Sequence, residues 1–395
     1  MKYLFLFLLI ISVFCISCKN ESSTQITTDA EFTISITTDI LKNVHTGKLS
    51  ELVDSARFIN LEVTDESLIV NIKKIRFYDN KIFILDRQNK RGVLVFDTAG
   101  KYLYTIGRMG AGPAEFASLW SFTINKYTNQ VILLDAVGQK LIYYTLAGES
   151  ISDKRLKYTY SNIEMLGKNC IASTIMGTQS DYSLHLLDAE GNEGKTMFTR
   201  KPYHLVEIFK PIVVYNDTLL YMQHYDDAVY HITPEGARVR TMVDYGEYRV
   251  TEDKLEKNAL APIWLPKVDC MQNTHYYTET QNHIYFGFNY KTMEPSSPYY
   301  VLYNKKNKKS TIYTNSIFDN IAFYPIAPEI IDVNSNDEFI AVMEAYILLK
   351  AYNEAKADYN KWDEATRKQY DEMQGFIDTL DNDSNPVLML LSFTK

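Results

Sequence analysis

The sequence predicts an all-β fold, a six-bladed β-propeller with a helical insertion near the C-terminus. Three observations carry this prediction: strand-like segments from residue 50 to 325, a turn that recurs every 43 to 48 residues, and strand-like segments at both ends of the domain. Segments such as Lys81–Asp86 (KIFILD) and Gln130–Asp135 (QVILLD) are rich in β-branched and aromatic residues, and turn residues separate them.

The recurrent turn gives the number of blades. Its first four copies end at Gly100, Gly148, Gly191 and Gly236, and a degenerate fifth copy covers residues 301–309. A period in the forties with strand–turn–strand content is typical of a blade of four antiparallel strands, and glycine supplies the positive φ that its outer turn needs. Five turns and one blade closed by the chain ends give six blades. A β-sandwich, the main alternative, would not show this period.

The chain ends predict how the ring closes. Residues 57–62 (RFINLE) and 387–393 (VLMLLSF) are both strand-like, and pairing them in one blade removes the exposed edges of the ring.

A helical insertion is predicted at residues 335–380, inside the last blade. Apolar residues at 339, 342, 343, 346 and 349 follow helical spacing, and the four residues from Ser335 to Glu338 resemble a capping box. A second helix is predicted from about Asp363 to Ile377. The insertion either packs on the ring or contacts a partner.

The N-terminus predicts export and a lipid anchor. Lys2 precedes an apolar run from residue 4 to 14, which is too short to span a bilayer and fits a signal peptide over residues 1–17. The run ends in Ile16-Ser17-Cys18, which resembles the lipobox of bacterial lipoproteins, so Cys18 is the predicted lipidation site. An ordinary signal peptide followed by a chance cysteine is the alternative. Residues 18–30 are then the anchor and a flexible tether, and residues 31–395 the propeller.

Composition argues against nucleic acid as a partner. Without Lys2 the mature chain has 40 basic and 49 acidic residues, a net charge of −9. A chain of this charge, whose one basic run (305–309) is explained by a hairpin turn, is unsuited to bind nucleic acid.

The glycine-rich stretch GRMGAGPAEF, residues 107–116, does not predict a phosphate site. Pro113 follows Gly112 where a Walker loop needs lysine, and Glu115 stands where a dinucleotide fingerprint needs a third glycine. Histidine spacing, calcium-loop spacing and serine-elbow motifs are likewise unmatched. The sequence therefore predicts no catalytic residue, no metal ligand and no cofactor.

Several short motifs together resemble a family of six-bladed β-propeller lipoproteins of the Bacteroides group, with rings of the NHL and TolB type. The matching pieces lie across the mature chain: Leu61-Glu62, Glu66-Ser67-Leu68-Ile69, Ile84-Leu85-Asp86, 95–100 (VFDTAG), 106–116 (IGRMGAGPAEF) and Asn385-Pro386-Val387-Leu388. The Gly-Pro-x-Glu-Phe piece is the most specific, although Ala114 stands where family members commonly have glycine. The resemblance implies the propeller and brings no known reaction or substrate.

In such a ring, residues 107–116 form the crossover from one blade to the next, near the central channel. Arg108 and Glu115 then either pair with each other or, with Trp120, contact a ligand. Arg87, which follows the strand ending at Asp86, is a further candidate on this face.

The sequence predicts a binding or protein-interaction module anchored by lipid in the cell envelope, at the periplasmic or surface face of the outer membrane. Its partners are the membrane and a small molecule, a glycan or an envelope protein, in a process such as glycan uptake or sensing. The alternative is a metal-dependent hydrolase of the lactonase or lyase type that uses the central channel. A scaffold that docks through its helical insertion is a third hypothesis.

Overall fold

The computed structural model describes residues 26–27, 29–86, 92–201, 210–223, 225–256, 270–291 and 298–394. At 26–27, 274–276 and 291 it describes the backbone alone. The predicted lipidation site Cys18 and the candidate Arg87 therefore lie outside the described residues.

Six sheets form the ring, which confirms the predicted fold class. Three strands come first in the chain: β1 (Ile26–Thr27), β2 (Phe32–Ser35) and β3 (Val53–Ile59). Blade 1 consists of β4 (Ile72–Tyr78), β5 (Lys81–Asp86), β6 (Val93–Asp97) and β7 (Tyr102–Ile106). Blade 2 consists of β8 (Leu119–Asn125), β9 (Gln130–Asp135), β10 (Lys140–Thr145) and β11 (Ser150–Arg155). Blade 3 consists of β12 (Tyr160–Met165), β13 (Cys170–Ile175), β14 (Tyr182–Asp188) and β15 (Glu193–Thr199).

The other three blades follow the same order. Blade 4 consists of β16 (Ile212–Tyr215), β17 (Thr218–Met222), β18 (Ala228–Ile232) and β19 (Ala237–Asp244). Blade 5 consists of β20 (Cys270–Glu279), β21 (His283–Lys291), β22 (Tyr299–Asn304) and β23 (Lys309–Thr314). Blade 6 consists of β24 (Ile330–Val333), β25 (Phe339–Met343), β26 (Val387–Phe393) and β3. The helices are α1 (Thr38–Leu41), α2 (Glu252–Glu256), α3 (Ala345–Ala355) and α4 (Glu364–Ile377), with 3-10 turns at Leu49–Glu51, Gly246–Tyr248 and Lys356–Lys361.

The chain ends close the ring as predicted. Strand β26 pairs antiparallel with β3, with Leu388 opposite Ile59 and Leu390 opposite Arg57. Upstream of β3, β1 and β2 pair in parallel with β19, the outer strand of blade 4. The N-terminal segment therefore covers an edge that would otherwise be open.

Alternate side chains of one strand pack into the hydrophobic cores on the two sides of its blade. Ile82 and Ile84 of β5 pack with Leu388 of blade 6, whereas Phe83 and Leu85 pack with Leu133 of blade 2 and its neighbours. Because successive side chains of a strand point to opposite faces, a blade that is buried on both faces needs a continuous apolar run. This explains why KIFILD shows no polar alternation.

The aspartates that end these runs fix the crossovers. Asp86 accepts hydrogen bonds from the backbone N–H groups of Val70 and Asn71, at 2.7 and 3.0 Å. Asp135 accepts in the same way from Ala117 and Ser118, both at 2.9 Å. Each aspartate is itself buried and satisfies two backbone donors of the crossover. Such a carboxylate is costly to replace, so the repeated aspartate has a structural role.

Gly100 has the role predicted for the outer turn. Its φ is +90°, and a Cβ there would lie 2.1 Å from the carbonyl oxygen of Asn60 in the preceding blade. The fifth turn, which lacks glycine, places Lys308 at a φ of 59°.

The helical insertion follows β25. Helix α4 confirms the predicted second helix, and the Asp363 carboxylate accepts from the Thr366 N–H at 2.9 Å as its cap. Helices α3 and α4 stack Tyr352 on Tyr370 at 4.1 Å between ring centroids. The insertion packs against the crossover between blades 5 and 6, where Phe323 contacts Trp362.

The predicted start of the first helix is wrong. Residues 334–337 form a β-turn, and the Asn334 side chain accepts from the N–H groups of Asn336 and Glu338. Residues 339–343 form β25, and α3 begins at Ala345. Phe339, Ala341 and Met343 face one core at strand spacing, and pairing with β26 outweighs the local helical pattern.

Candidate functional site

The crossover that contains GRMGAGPAEF is closed by its own glutamate. Glu115 accepts from the N–H of Gly112 at 2.7 Å and pairs with Arg108 at 2.6 Å. The Gly112 N–H and the Arg108 guanidinium both lower the pKa of the Glu115 carboxyl. In the structure this segment is a crossover, and Arg108 pairs with Glu115. A carboxylate occupies the concave side of the loop where an anion would need to bind.

Trp120 lies apart from that pair, at the mouth of the central channel. Its Nε1 donates to Ser118 Oγ at 3.1 Å, and Lys73 Nζ lies 4.6 Å from its ring centroid. Arg108 projects outward with 81% of its side chain exposed. Trp120 lines a channel cavity, whereas Arg108 and Glu115 line none of the three channel cavities described below.

The first strand of each blade lines the channel, and five of its charged residues form one network. We call this network the channel cluster: Lys74 and Arg76 of β4, Glu164 of β12, Lys210 just before β16, and Asp332 of β24. Arg76 bridges Glu164 and Asp332, Lys74 lies 2.7 Å from Glu164, and Lys210 lies 3.0 Å from Asp332. Four blades are thereby tied together across the axis.

Burial makes these charges strongly dependent on one another. Burial lowers the pKa of Lys74 to about 8, although Glu164 acts against this. Burial also lowers the pKa of Lys210. Burial opposes ionisation of Arg76 and Asp332 too, but here the opposite charges dominate, so the pKa of Arg76 is raised and that of Asp332 is lowered. Three cations face two carboxylates, which leaves the channel cluster with an excess of positive charge.

The channel has two mouths. The crossover-face mouth lies where the crossovers enter the first strands, and Lys73, Trp120, Asn162 and Ile212 surround Lys74 and Lys210 there. The hairpin-face mouth lies at the opposite ends of the same strands, where the first and second strands of each blade join. Cavities of about 140 and 400 Å³ open there.

Sequence reasoning missed the channel cluster, although a signal was present. Lys74 and Arg76 stand on either side of Ile75 in β4 and follow Lys73, whereas the central residues of the next strand, β5, are apolar. Charges at alternate positions of a first strand point to one face, and in a propeller that face is the channel.

Comparison with models of protein families shows which family the chain belongs to. The model of a domain of unknown function, DUF4934, matches residues 31–392. The chain belongs to the DUF4934 family. No curated protein matches it.

Two solved structures share the fold of this DUF4934 protein. A protein of Bacteroides fragilis, described as exported, is 17% identical, with a TM-score of 0.74 over 92% of this chain and 100% of its own. A member of the DUF4221 family from Bacteroides vulgatus is 12% identical, with a TM-score of 0.50 over 87% of this chain and 98% of its own. At such identities the likeness shows the fold alone.

Two findings bear on the membrane and on metals. Across the part of the DUF4934 chain that the structure describes, no helix is both long and apolar enough to cross a membrane. The same residues contain no group of three or more histidine, cysteine, aspartate or glutamate side chains placed to hold a metal ion.

A buried aspartate on the crossover face gives a pH-dependent prediction. Asp227 lies in the loop between β17 and β18, 3.2 Å from Arg249. Burial raises its pKa to about 7. Because this is above the value of about 3.9 for an unfolded chain, the folded protein binds more protons, and stability falls as pH rises from about 4 to 7. We expect Asp227→Asn to remove this fall and to stabilise the protein at pH 8 by about 2 kcal/mol.

Urea unfolding measured from pH 4 to pH 8 checks this expectation. Glu235→Gln, an exposed change in the same blade, is the control and should leave the pH profile as it is. An Asp227→Asn profile parallel to that of the unmodified protein would show that Asp227 is ionised throughout.

Proposed function

We propose that this DUF4934 protein is a lipid-anchored binding module of the cell envelope. It holds a small anionic molecule, of the sugar-acid class, on the rim of the crossover-face mouth, since the cavity of about 20 Å³ below the rim is too small to enclose one. The observation that carries the proposal is the excess of buried positive charge below a mouth edged by Lys73 and Trp120. Buried cations attract anions far more strongly than exposed ones, because little solvent screens them. An aromatic face at the rim is suited to stack on a sugar ring.

Location in the envelope is supported by the sequence and by one relative. The apolar run that ends at Cys18 fits a lipoprotein signal, and the B. fragilis protein of the same fold is described as exported. The hydrolase alternative gains no support from the channel, because Glu164 and Asp332 are both paired with cations.

Thermal unfolding with acidic and neutral sugars tests the proposal. For a soluble form that begins at Asp29, we expect glucuronate or galacturonate to raise the melting temperature and the parent neutral sugars to leave it unchanged. A ligand at 100 times its Kd adds about 2.7 kcal/mol, which shifts the midpoint by a few degrees.

Variants at the rim and a control elsewhere in blade 1 test whether the rise in melting temperature comes from binding at this mouth. Lys73→Ala and Trp120→Ala should each abolish most of the shift, whereas Lys101→Ala, which removes an exposed lysine of blade 1, should not. Equal shifts from acidic and neutral sugars would exclude the proposed anion selectivity. A shift that survives Trp120→Ala would exclude this mouth.

A further inference from the structure

The hairpin-face mouth is divided by an ion pair. Lys126 follows β8 in blade 2, Asp217 follows β16 in blade 4, and their side chains form a salt bridge across the mouth. Both residues line both cavities, so the bridge separates a space of about 140 Å³ beside blades 2 and 3 from one of about 400 Å³ beside blades 4 and 6.

The smaller cavity has apolar walls. Its walls are formed by Phe77, Ile124, Tyr127, Met165 and Val214. At its floor, Thr123 donates to Glu164 at 3.1 Å and Arg76 binds Glu164, so the polar groups there have partners. A volume near 150 Å³ accommodates a single aromatic ring such as benzene. The cavity is therefore suited to a ring that carries no polar group at its inner end.

Lys126, at the rim of the smaller cavity, can exchange its salt bridge to Asp217 for one to a ligand. The side chains of Lys126 and Asp217 are 41% and 64% exposed, and exposed ion pairs contribute little to stability. Lys126 Nζ also lies 5.4 Å from the ring centroid of Tyr127, beside the smaller cavity. A ligand carboxylate can take the place of Asp217 on Lys126 at small cost.

We propose that the hairpin-face mouth is a second binding site, for a small aromatic carboxylate whose ring fills the smaller cavity and whose carboxylate replaces Asp217 on Lys126. The channel cluster lies between this site and the crossover-face mouth. The argument for the second site uses the hairpin-face cavity and its ion pair, and does not rest on the function proposed above, although Arg76 and Glu164 line the cavities at both mouths.

Phenylacetate and its neutral isostere phenylacetamide are the probes, titrated against the full chain by calorimetry or ligand-observed NMR. We expect phenylacetate to bind at least tenfold more tightly than the amide. In Lys126→Met, phenylacetate should bind no more tightly than phenylacetamide. Val214→Phe, which fills the cavity, should weaken phenylacetate binding at least tenfold.

Asp217→Asn is the variant with the sharpest expectation. It frees Lys126, so phenylacetate should bind at least threefold more tightly, and asparagine tolerates the φ of 62° at this position. The matched control is Asp79→Asn, also in a hairpin turn between a first and second strand, with a φ of 50° and a salt bridge to Lys81. This control should leave the affinity unchanged.

Three outcomes would overturn the proposal. These are no binding of phenylacetate at millimolar concentration, equal binding of acid and amide, and an Asp217→Asn affinity no higher than that of the unmodified chain. Melting temperatures recorded for each variant confirm that a loss of binding reflects the site and not the fold.

Discussion

Deletion of residues 386–395 is expected to leave no soluble, folded protein. These residues contain β26, which lies between β25 and β3 in blade 6 and provides the contact between the two ends of the chain. Six of its side chains are buried: Val387, Leu388, Met389, Leu390, Leu391 and Phe393. At about 1.5–3 kcal/mol each they contribute about 9–18 kcal/mol, which is comparable to the whole stability of about 5–15 kcal/mol that is typical of native proteins.

The deletion also exposes two strand edges. Strands β25 and β3 would lose their common partner and present unpaired N–H and C=O groups, which promotes aggregation. Soluble yield, size-exclusion chromatography and circular dichroism measure the result. Deletion of residues 394 and 395 alone is the control. It should fold, because β26 stays complete and the described residue it removes, Thr394, contacts the Leu52 carbonyl and His283 from the end of the strand. A folded monomer that lacks residues 386–395 would refute closure through β26.

The ring could be predicted from the sequence because its signals are local and repeated. Blade 2 repeats the outer turn found at Gly100 and the crossover fixed by Asp86 in blade 1. The distance between equivalent residues of successive blades therefore gives the period of the structure. The closing pair of strands followed once the number of blades was known.

The channel cluster could not be predicted in this way. Arg76 contacts Glu164, 88 positions later, and Asp332, 256 positions later. Which blades face each other across the axis depends on closure of the whole ring, and no local pattern encodes it. The start of the first helix was predicted too early for a related reason. Residues 339–343 form a strand because they pair with β26, about 50 positions later, and the helical spacing of their apolar residues does not reveal that pairing.

Arg76→Met is expected to destabilise the protein by about 3–5 kcal/mol at pH 7, the range for removing one member of a buried ionic network. Methionine fills much of the space but leaves Glu164 and Asp332 without their shared cation. Arg57→Met is the matched control, because Arg57 makes a two-pronged pair with Glu338 at the surface. Exposed pairs contribute about 1 kcal/mol or less. Urea unfolding of both variants checks the difference, and equal losses would show that the channel cluster adds nothing beyond a surface pair.

The pH dependence of stability should differ between Arg76→Met and the unmodified protein, because Arg76 helps to hold the pKa of Asp332 low. In the unmodified protein, Lys210 and Arg76 hold the pKa of Asp332 low against the effect of burial. Its stabilising contribution is therefore present above the unfolded value of about 3.9 and is lost as pH falls through the folded pKa. Without Arg76, Lys210 is the main cation left to oppose burial, so the pKa of Asp332 rises and its carboxylate contributes less stability as pH approaches 7. The stability difference between the two proteins should accordingly be smallest near pH 4 and grow towards pH 7. A difference that stays constant across this range would mean that Asp332 keeps its charge without the arginine, with Lys210 as a sufficient partner.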